Sequence, residues 1–161
     1  MARIPFRKLL PHIALLIAAL ILLGGLLLLA SGEQKKTRDI VRVQEVLGIR
    51  SSLRMYYIDH AAYPAAPISI LLGVGDSARI CDRGFVAKSS DSCAKKAYGQ
   101  ELPSGHHLLP DDEYAYVSLT DNGIDACTSP AGCPHFAIQF LLETDMLYPR
   151  GAHVLTDQGI K

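Results

Sequence analysis

The stretch that decides the fold reads IALLIAALILLGGLLLLA and runs from Ile13 to Ala30, eighteen consecutive residues without a charged or polar side chain. As an α-helix it is about 27 Å long, close to the roughly 30 Å thickness of the hydrocarbon layer of a bilayer. A helix in the core of a globular domain has a polar face, which this stretch lacks. The sequence therefore predicts a transmembrane helix over 13–30, held by membrane lipid and preceded by a basic tail over 1–12.

A cleaved signal peptide is the alternative interpretation of the same stretch. Ala30, Ser31 and Gly32 are small residues, after which a signal peptidase could cut before Glu33. Secretory apolar segments contain about 7 to 15 residues, however, and the greater length found here suits an anchor that is retained.

The orientation of the anchor follows from the cysteines rather than from the flanking charges. Basic residues lie on both sides of the apolar stretch, so the positive-inside rule does not choose between the two orientations. All four cysteines lie in the long C-terminal part, where export would let them pair. We therefore expect a single-pass protein of the cytoplasmic (inner) membrane, with its N-terminus in the cytoplasm and residues 31–161 outside.

Residues 33–60 predict an amphipathic helix that continues from the anchor. Val46, Ile49, Leu53 and Tyr56 recur at helical spacing, and the residue before Pro64 is disfavoured in a helix, which predicts an end near residue 60. The remaining side of this helix carries charges of both signs, which we interpret as a solvated face: Lys35, Arg38, Asp39, Arg42, Glu45, Arg50 and Arg54.

The chain after Pro64 predicts a small antiparallel sheet that needs a cover. Residues of about 65–110 are rich in Gly, Asp and Ser and predict a short helix or turn and then an irregular loop. Alternation predicts three strands within about 113–157, at 114–119, 135–143 and 153–156. The second has one apolar face, formed by Phe136, Ile138, Phe140 and Leu142. Packing of this face on the amphipathic helix predicts an α+β fold.

The four cysteines predict two local disulfides. Eleven residues separate Cys81 from Cys93 and five separate Cys127 from Cys133, so each pair closes a short loop without a long-range coincidence. A zinc site is the rival interpretation, but neither gap matches the two to four residues typical of paired zinc ligands.

The sequence gives little indication of nucleic-acid binding, catalysis or metal binding. Lys plus Arg and Asp plus Glu both number 16, so no basic excess points to nucleic acid. No nucleophile, metal-protease or phosphate-binding motif occurs, and we expect neither catalysis nor a cofactor or metal. Asp121, Asn122 and Asp125 could hold calcium, although Asp-Asn-Gly is typical of a turn. The remaining candidates for a catalytic or metal site, interpreted as surface residues, are His106, His107, His135, His153, Asp111, Asp112 and Glu113.

The order of these parts resembles the type IV pilin and type II secretion pseudopilin family. The most specific piece is LRMYYIDHAAYP, in which Tyr56-Tyr57-Ile58-Asp59 precedes Ala62-Tyr63-Pro64, as at the end of the long helix of major pseudopilins. The segments 114–143 and 151–160 are similar to the strand region of pilin-like proteins with a paired-cysteine loop. The resemblance covers most of the chain through short motifs.

This resemblance implies a role by assembly, in which apolar N-terminal helices stack into the core of a filament and the heads face outward. Partners would then be like subunits or other pilin-like proteins, in a type IV pilus or a type II secretion assembly. The chain has no acidic residue before Glu33, so the glutamate near the start of the family's mature helix has no counterpart. The other interpretation is a monomeric, membrane-anchored binding domain that has the pilin-like fold and does not polymerise.

Overall fold

The computed structural model describes residues 6–88, 93, 96–99, 101–105, 113–129 and 132–161, and excludes the side chains of 6–12, 14 and 26–31. The chain divides into two compact units, Met1–Thr37 and Arg38–Lys161. The division therefore falls within the segment predicted as the amphipathic helix, rather than at residue 31.

A single long helix, α1, covers Phe6–His60. It begins before the predicted start at Ile13 and includes Pro11, although proline lacks the backbone N–H that an interior helical residue donates. It ends where the sequence predicts. Ala61 has a φ of 54°, and its backbone N–H donates to the carbonyl of Tyr57 over 2.8 Å, which closes the last turn.

The first unit contains the predicted membrane span. The side chains that the structure describes between Ile13 and Leu23 are exposed. A search of the described residues for a helix with the length and apolarity needed to cross a bilayer found none. Within the predicted span over 13–30, six side chains lie outside the described residues, those of Ala14 and of residues 26–30.

The second unit is α+β, with the C-terminal part of α1 packed on an antiparallel sheet. Among the described residues the sheet has four strands, Ile70–Leu71 (β1), Ala115–Leu119 (β4), His135–Leu142 (β5) and Gly151–Thr156 (β6). They lie in that order across the sheet, and every neighbouring pair is antiparallel. The three strands predicted from alternation thus correspond to β4, β5 and β6.

The segment predicted as a turn and an irregular loop contains three short strands. β1 pairs with β4, placing Ile70 opposite Tyr116, and so forms an edge of the main sheet. Arg79–Cys81 (β2) and Gly84–Val86 (β3) form a separate two-stranded hairpin. A 3₁₀ turn over Gly75–Ser77 connects β1 to the hairpin. The prediction of an irregular loop was therefore wrong for residues 70–86.

The core lies between α1 and the sheet, as predicted. Val46, Ile49, Leu53 and Tyr56 come from one face of the helix, and alternate residues of β5 point toward them. All eight residues predicted for this packing are buried in one cluster: Val46, Ile49, Leu53, Tyr56, Phe136, Ile138, Phe140 and Leu142. The period of 3.6 in the helix and the period of 2 in the strand therefore locate the same interface.

Two disulfides fasten the loops around this core. They join Cys81 to Cys93 and Cys127 to Cys133, which confirms the predicted connectivity. Cys133 also pairs with Tyr63 through two backbone hydrogen bonds of 2.7 and 3.1 Å. The second disulfide loop is thereby attached to the segment that follows α1. A short closed loop of this kind contributes about 2 to 3 kcal/mol in the chain-entropy description.

Candidate functional site

A network of buried charges joins α1 to the loop after β5. Asp39 and Arg42 are 2% and 1% exposed, and Arg42 Nη1 donates to Asp39 Oδ1 over 2.9 Å. Both residues were predicted on a solvated face, and that prediction was wrong. Asp39 lies seven residues before Val46, and Arg42 seven before Ile49, so both share the buried face of the helix.

Glu143 supplies the second carboxylate of what we call the Asp39 network, comprising Arg38, Asp39, Arg42, Glu143 and Thr144. Arg38 donates to Glu143 through two nitrogens, over 2.8 Å from Nε and 2.6 Å from Nη2. Arg42 Nη1 donates to Glu143 Oε1 over 2.9 Å. Among the described residues of this network, two guanidinium groups thus pair with two carboxylates, and such pairing offsets the cost of burying charge.

Asp39 also orders the backbone of the loop. Its Oδ1 accepts from the backbone N–H of Glu143 over 2.9 Å, and its Oδ2 accepts from the N–H of Thr144 over 2.8 Å. The hydroxyl of Thr144 donates to Oδ2 over 2.6 Å. Each oxygen of Asp39 therefore has partners on the loop, and the network is a clamp between the helix and the loop after β5.

The hydrogen bonds from Arg38, and those from Arg42, hold the pKa of Glu143 at about 2, below its ordinary value, against the opposing effect of burial. A lowered folded-state pKa means that the unfolded chain binds the proton more tightly. The stabilisation by Glu143 is therefore complete above about pH 5 and is lost as the pH falls toward about 2.

We expect the free energy of unfolding to fall steeply between about pH 5 and about pH 2, and Glu143→Gln to remove much of that dependence. Urea denaturation of both proteins across this range measures the effect. Glu113→Gln is the control, since Glu113 is exposed. Parallel pH profiles for the native chain and Glu143→Gln would contradict the assignment.

A second feature is a cavity of about 990 Å³ at the C-terminal end of α1, which we call the helix-end cavity. Tyr56 and His60 of the helix form one wall, and the following segment and β1 contribute apolar side chains. The hairpin turn between β2 and β3 contributes polar groups. The cavity lining includes Tyr56, His60, Ile70, Asp82 and Phe85.

The aromatic wall of this cavity is built from rings in contact with one another. The rings of Tyr56 and His60 stack with their centroids 4.0 Å apart, and the ring of Tyr98 meets Tyr56 edge-on at 5.3 Å. His60 Nδ1 lies 3.0 Å from the backbone carbonyl of Tyr56, and a carbonyl only accepts, so Nδ1 carries a hydrogen. Nε2 of the neutral ring is then an acceptor.

Asp82, in the hairpin turn, lines the cavity with a carboxylate of which one oxygen has no partner among the described residues. Its Oδ1 is buried and has no hydrogen-bond partner among the described residues. Burial, together with the negative charge of Asp82, raises the pKa of Tyr56. The carboxylate of Asp82 therefore favours the protonated form of the Tyr56 phenol. An unpaired buried carboxylate oxygen is costly, and it leaves Asp82 with unused hydrogen-bonding capacity beside the cavity that this residue lines.

Asp59 lies on the other side of the aromatic cluster and is satisfied within the chain. Its Oδ2 accepts from Tyr98 Oη over 2.7 Å and from Lys96 Nζ. The hydrogen bonds from Lys96 and from Tyr98 lower the pKa of Asp59. Burial, and after it the hydrogen bond to Asp59, raises the pKa of Tyr98 to about 12. The Tyr98 phenol therefore stays protonated and fixes the edge of the aromatic wall.

The predicted histidine candidates do not come together among the described residues. His135 Nδ1 lies 3.2 Å from Asp157 Oδ2, and His153 Nε2 lies 2.6 Å from the carbonyl of Pro149, so each has a local partner. Glu113 is exposed. The other candidates lie outside the described residues: His106, His107, Asp111 and Asp112.

Asp121, Asn122 and Asp125, the residues of the calcium alternative, form a turn. Asn122 Oδ1 accepts from the backbone N–H groups of Ile124 and Asp125, and Asn122 Nδ2 donates to Asp125 Oδ2. The polar groups bind one another, as in an Asx turn. Across the described ranges, no three His, Cys, Asp or Glu side chains lie close enough to hold a metal ion.

Comparison of the chain with protein-family models, with curated protein sequences and with solved structures found no match.

Proposed function

We propose that the chain is a non-enzymatic, membrane-anchored, pilin-like protein, a subunit or accessory of a type IV pilus or a type II secretion assembly. Residues 13–30 would be its single transmembrane span, with the N-terminus in the cytoplasm and the second unit outside. The observation that carries this proposal is the apolar face Val46, Ile49, Leu53 and Tyr56 of α1, buried on an antiparallel sheet. The apolar stretch and this packed face belong to one helix, Phe6–His60.

The disulfides support an extracytoplasmic location for the second unit. All four cysteines are paired, and disulfides persist in oxidising compartments. Apolar side chains exposed on the first unit support contact with lipid or with like helices, because a soluble surface rarely exposes so continuous an apolar patch. Leu15, Leu20 and Leu22 are each more than half exposed.

The helix-end cavity favours a second candidate function, the monomeric anchored binding domain. A cavity near 1,000 Å³ with apolar walls and few polar groups has the properties of a ligand site. A protein that acts only by assembly has no need of one. The two functions differ in whether like chains meet through the N-terminal helix.

We expect Leu22→Cys, in the full chain in membranes of the expressing cells, to form disulfide-linked dimers on mild oxidation. Leu22 is 76% exposed in a segment that assembly would bring against its counterpart, and the chain otherwise has no free cysteine. Gln158→Cys, in an exposed position of the second unit, is the matched control and should remain monomeric. Non-reducing gel electrophoresis measures both.

Monomers from both variants would contradict assembly and leave the anchored binding domain as the function. Equal cross-linking from both would indicate random collision in the membrane, which also contradicts assembly through the helix. Recovery of the chain in the soluble fraction without detergent would contradict the anchor itself.

A further inference from the structure

The helix-end cavity has a polarity that selects among ligands. Among the described residues, the carboxylates of Asp76 and Asp82 line it, together with the guanidinium of Arg83. Asp76 and Arg83 are exposed, whereas Asp82 is half-buried and its Oδ1 has no hydrogen-bond partner among the described residues. The half-buried carboxylate of Asp82 has the stronger influence on a ligand, because electrostatic interactions strengthen where water is partly excluded.

Asp82 and the aromatic wall have complementary preferences. A carboxylate accepts hydrogen bonds and attracts a positive charge, and an aromatic ring attracts a cation to its face. Tyr56 and His60 lie on the same wall, and His60 offers Nε2 as a further acceptor once Nδ1 donates to the carbonyl of Tyr56. This part of the cavity presents acceptors and π-faces.

The remainder of the cavity is apolar and large enough for a hydrocarbon group. Phe85 and Ile70 are partly buried against the core, and Ile68, at 78% exposed, lies at the open side. Binding an apolar group here would cover side chains that water now contacts, which is favourable in proportion to the area buried.

We propose that the helix-end cavity binds an organic cation with an apolar body, whose ammonium group pairs with Asp82 beside Tyr56 and His60 while its hydrocarbon part lies against Phe85 and Ile70. The proposal does not depend on assembly of the chain. Cross-linking through the N-terminal helix and binding in this cavity can each fail without the other.

The test uses the full chain in detergent micelles and three probes of the same shape but different charge: 2-phenylethylamine, 2-phenylethanol and 3-phenylpropanoate. Isothermal titration calorimetry measures the Kd of each. We expect the amine to bind with a Kd at least about tenfold lower than that of the alcohol, and the carboxylate to bind more weakly than either. The same titrations into empty micelles correct for partitioning into detergent.

Two variants locate the site. Asp82→Asn should raise the Kd of the amine to that of the alcohol and leave the alcohol unchanged. Ile68→Lys places a second cation at the open side and should weaken the amine at least about tenfold, and its exposed position makes it tolerable to the fold even if Asp82→Asn is not. Asp121→Asn, the same change of charge in an exposed turn, should bind all three probes as the native chain does.

Three results would overturn the proposal: equal binding of amine and alcohol, a preference for the carboxylate, or amine binding that neither Asp82→Asn nor Ile68→Lys weakens. A preference for the carboxylate would assign the cavity to anions through Arg83. Urea midpoints of every variant establish that the proteins compared are folded.

Discussion

Replacing Asp39 by alanine is expected to lower the free energy of unfolding of the second unit by about 3 to 5 kcal/mol, the usual cost of removing one partner from a buried ion pair. Arg42, 1% exposed, would lose a carboxylate partner. The backbone N–H groups of Glu143 and Thr144 would lose their acceptor as well. Urea denaturation of a fragment starting at Gln34, which contains the whole compact unit, measures the loss.

Two further variants separate the charge of Asp39 from its hydrogen bonds. Asp39→Asn keeps one acceptor oxygen and the side-chain volume, so we expect a smaller loss of about 1 to 3 kcal/mol. Asp121→Ala removes an exposed carboxylate from a turn and should change stability by about 0.5 kcal/mol or less. If Asp39→Ala were as mild as Asp121→Ala, the Asp39 network would not be the clamp between helix and loop.

A double-mutant cycle tests whether helix and loop are coupled directly. Thr144→Val removes the hydroxyl that donates to Asp39 Oδ2 over 2.6 Å, with little change of shape. Groups in one hydrogen-bond network show coupling energies of about 0.5 to 3 kcal/mol. Asp39→Ala and Thr144→Val should therefore be clearly non-additive, and strict additivity would place Thr144 outside the network.

The parts of the fold that the sequence predicts are those with enough residues to display a period. The helix face from Val46 to Tyr56 and the alternating residues of β5 each repeat over several turns or pairs, and both lie in the core. β1 has two residues, and β2 and β3 have three each, which is too few to show alternation. β1 is a strand because it pairs with the distant β4, and β2 and β3 are strands because they pair with each other; local preference decides neither.

The charged residues of the helix show a different limit. Asp39 and Arg42 are in phase with the buried face, so position alone could have indicated their burial. The prediction followed the charge of these two residues rather than their position on the helix, because isolated charges are rarely buried. Their partner, Glu143, is remote in the sequence and follows a strand, so no local pattern joins the three.

The helix-end cavity could not be predicted from the sequence. Its walls come from the end of α1, the segment around Pro64 to Leu71 and the β2–β3 hairpin. These pieces meet only because β1 pairs with β4 and because Cys133 holds the segment after the helix. A site assembled by tertiary pairing leaves no spacing signature in any one stretch.

The second large effect is expected at the centre of the helix and sheet interface. Leu53 is fully buried in the core cluster. Leu53→Ala should lower the free energy of unfolding by about 2 to 5 kcal/mol, because the substitution loses both transfer free energy and packing contacts around the vacated volume. Urea denaturation of the fragment from Gln34 measures this difference.

Leu47→Ala is the matched control, since it makes the same substitution on the same helix at a side chain that is 43% exposed. Arg50, which the sequence places on a solvated face, is unsuitable as a control. It is half-buried, and its Nη2 donates to the carbonyl of Asp157 over 2.6 Å. We expect Leu47→Ala to cost about 1 kcal/mol or less, because little apolar area there is removed from water on folding. Equal losses for Leu53→Ala and Leu47→Ala would mean that the helix does not cover the sheet, and the support for a pilin-like architecture would disappear with that packing.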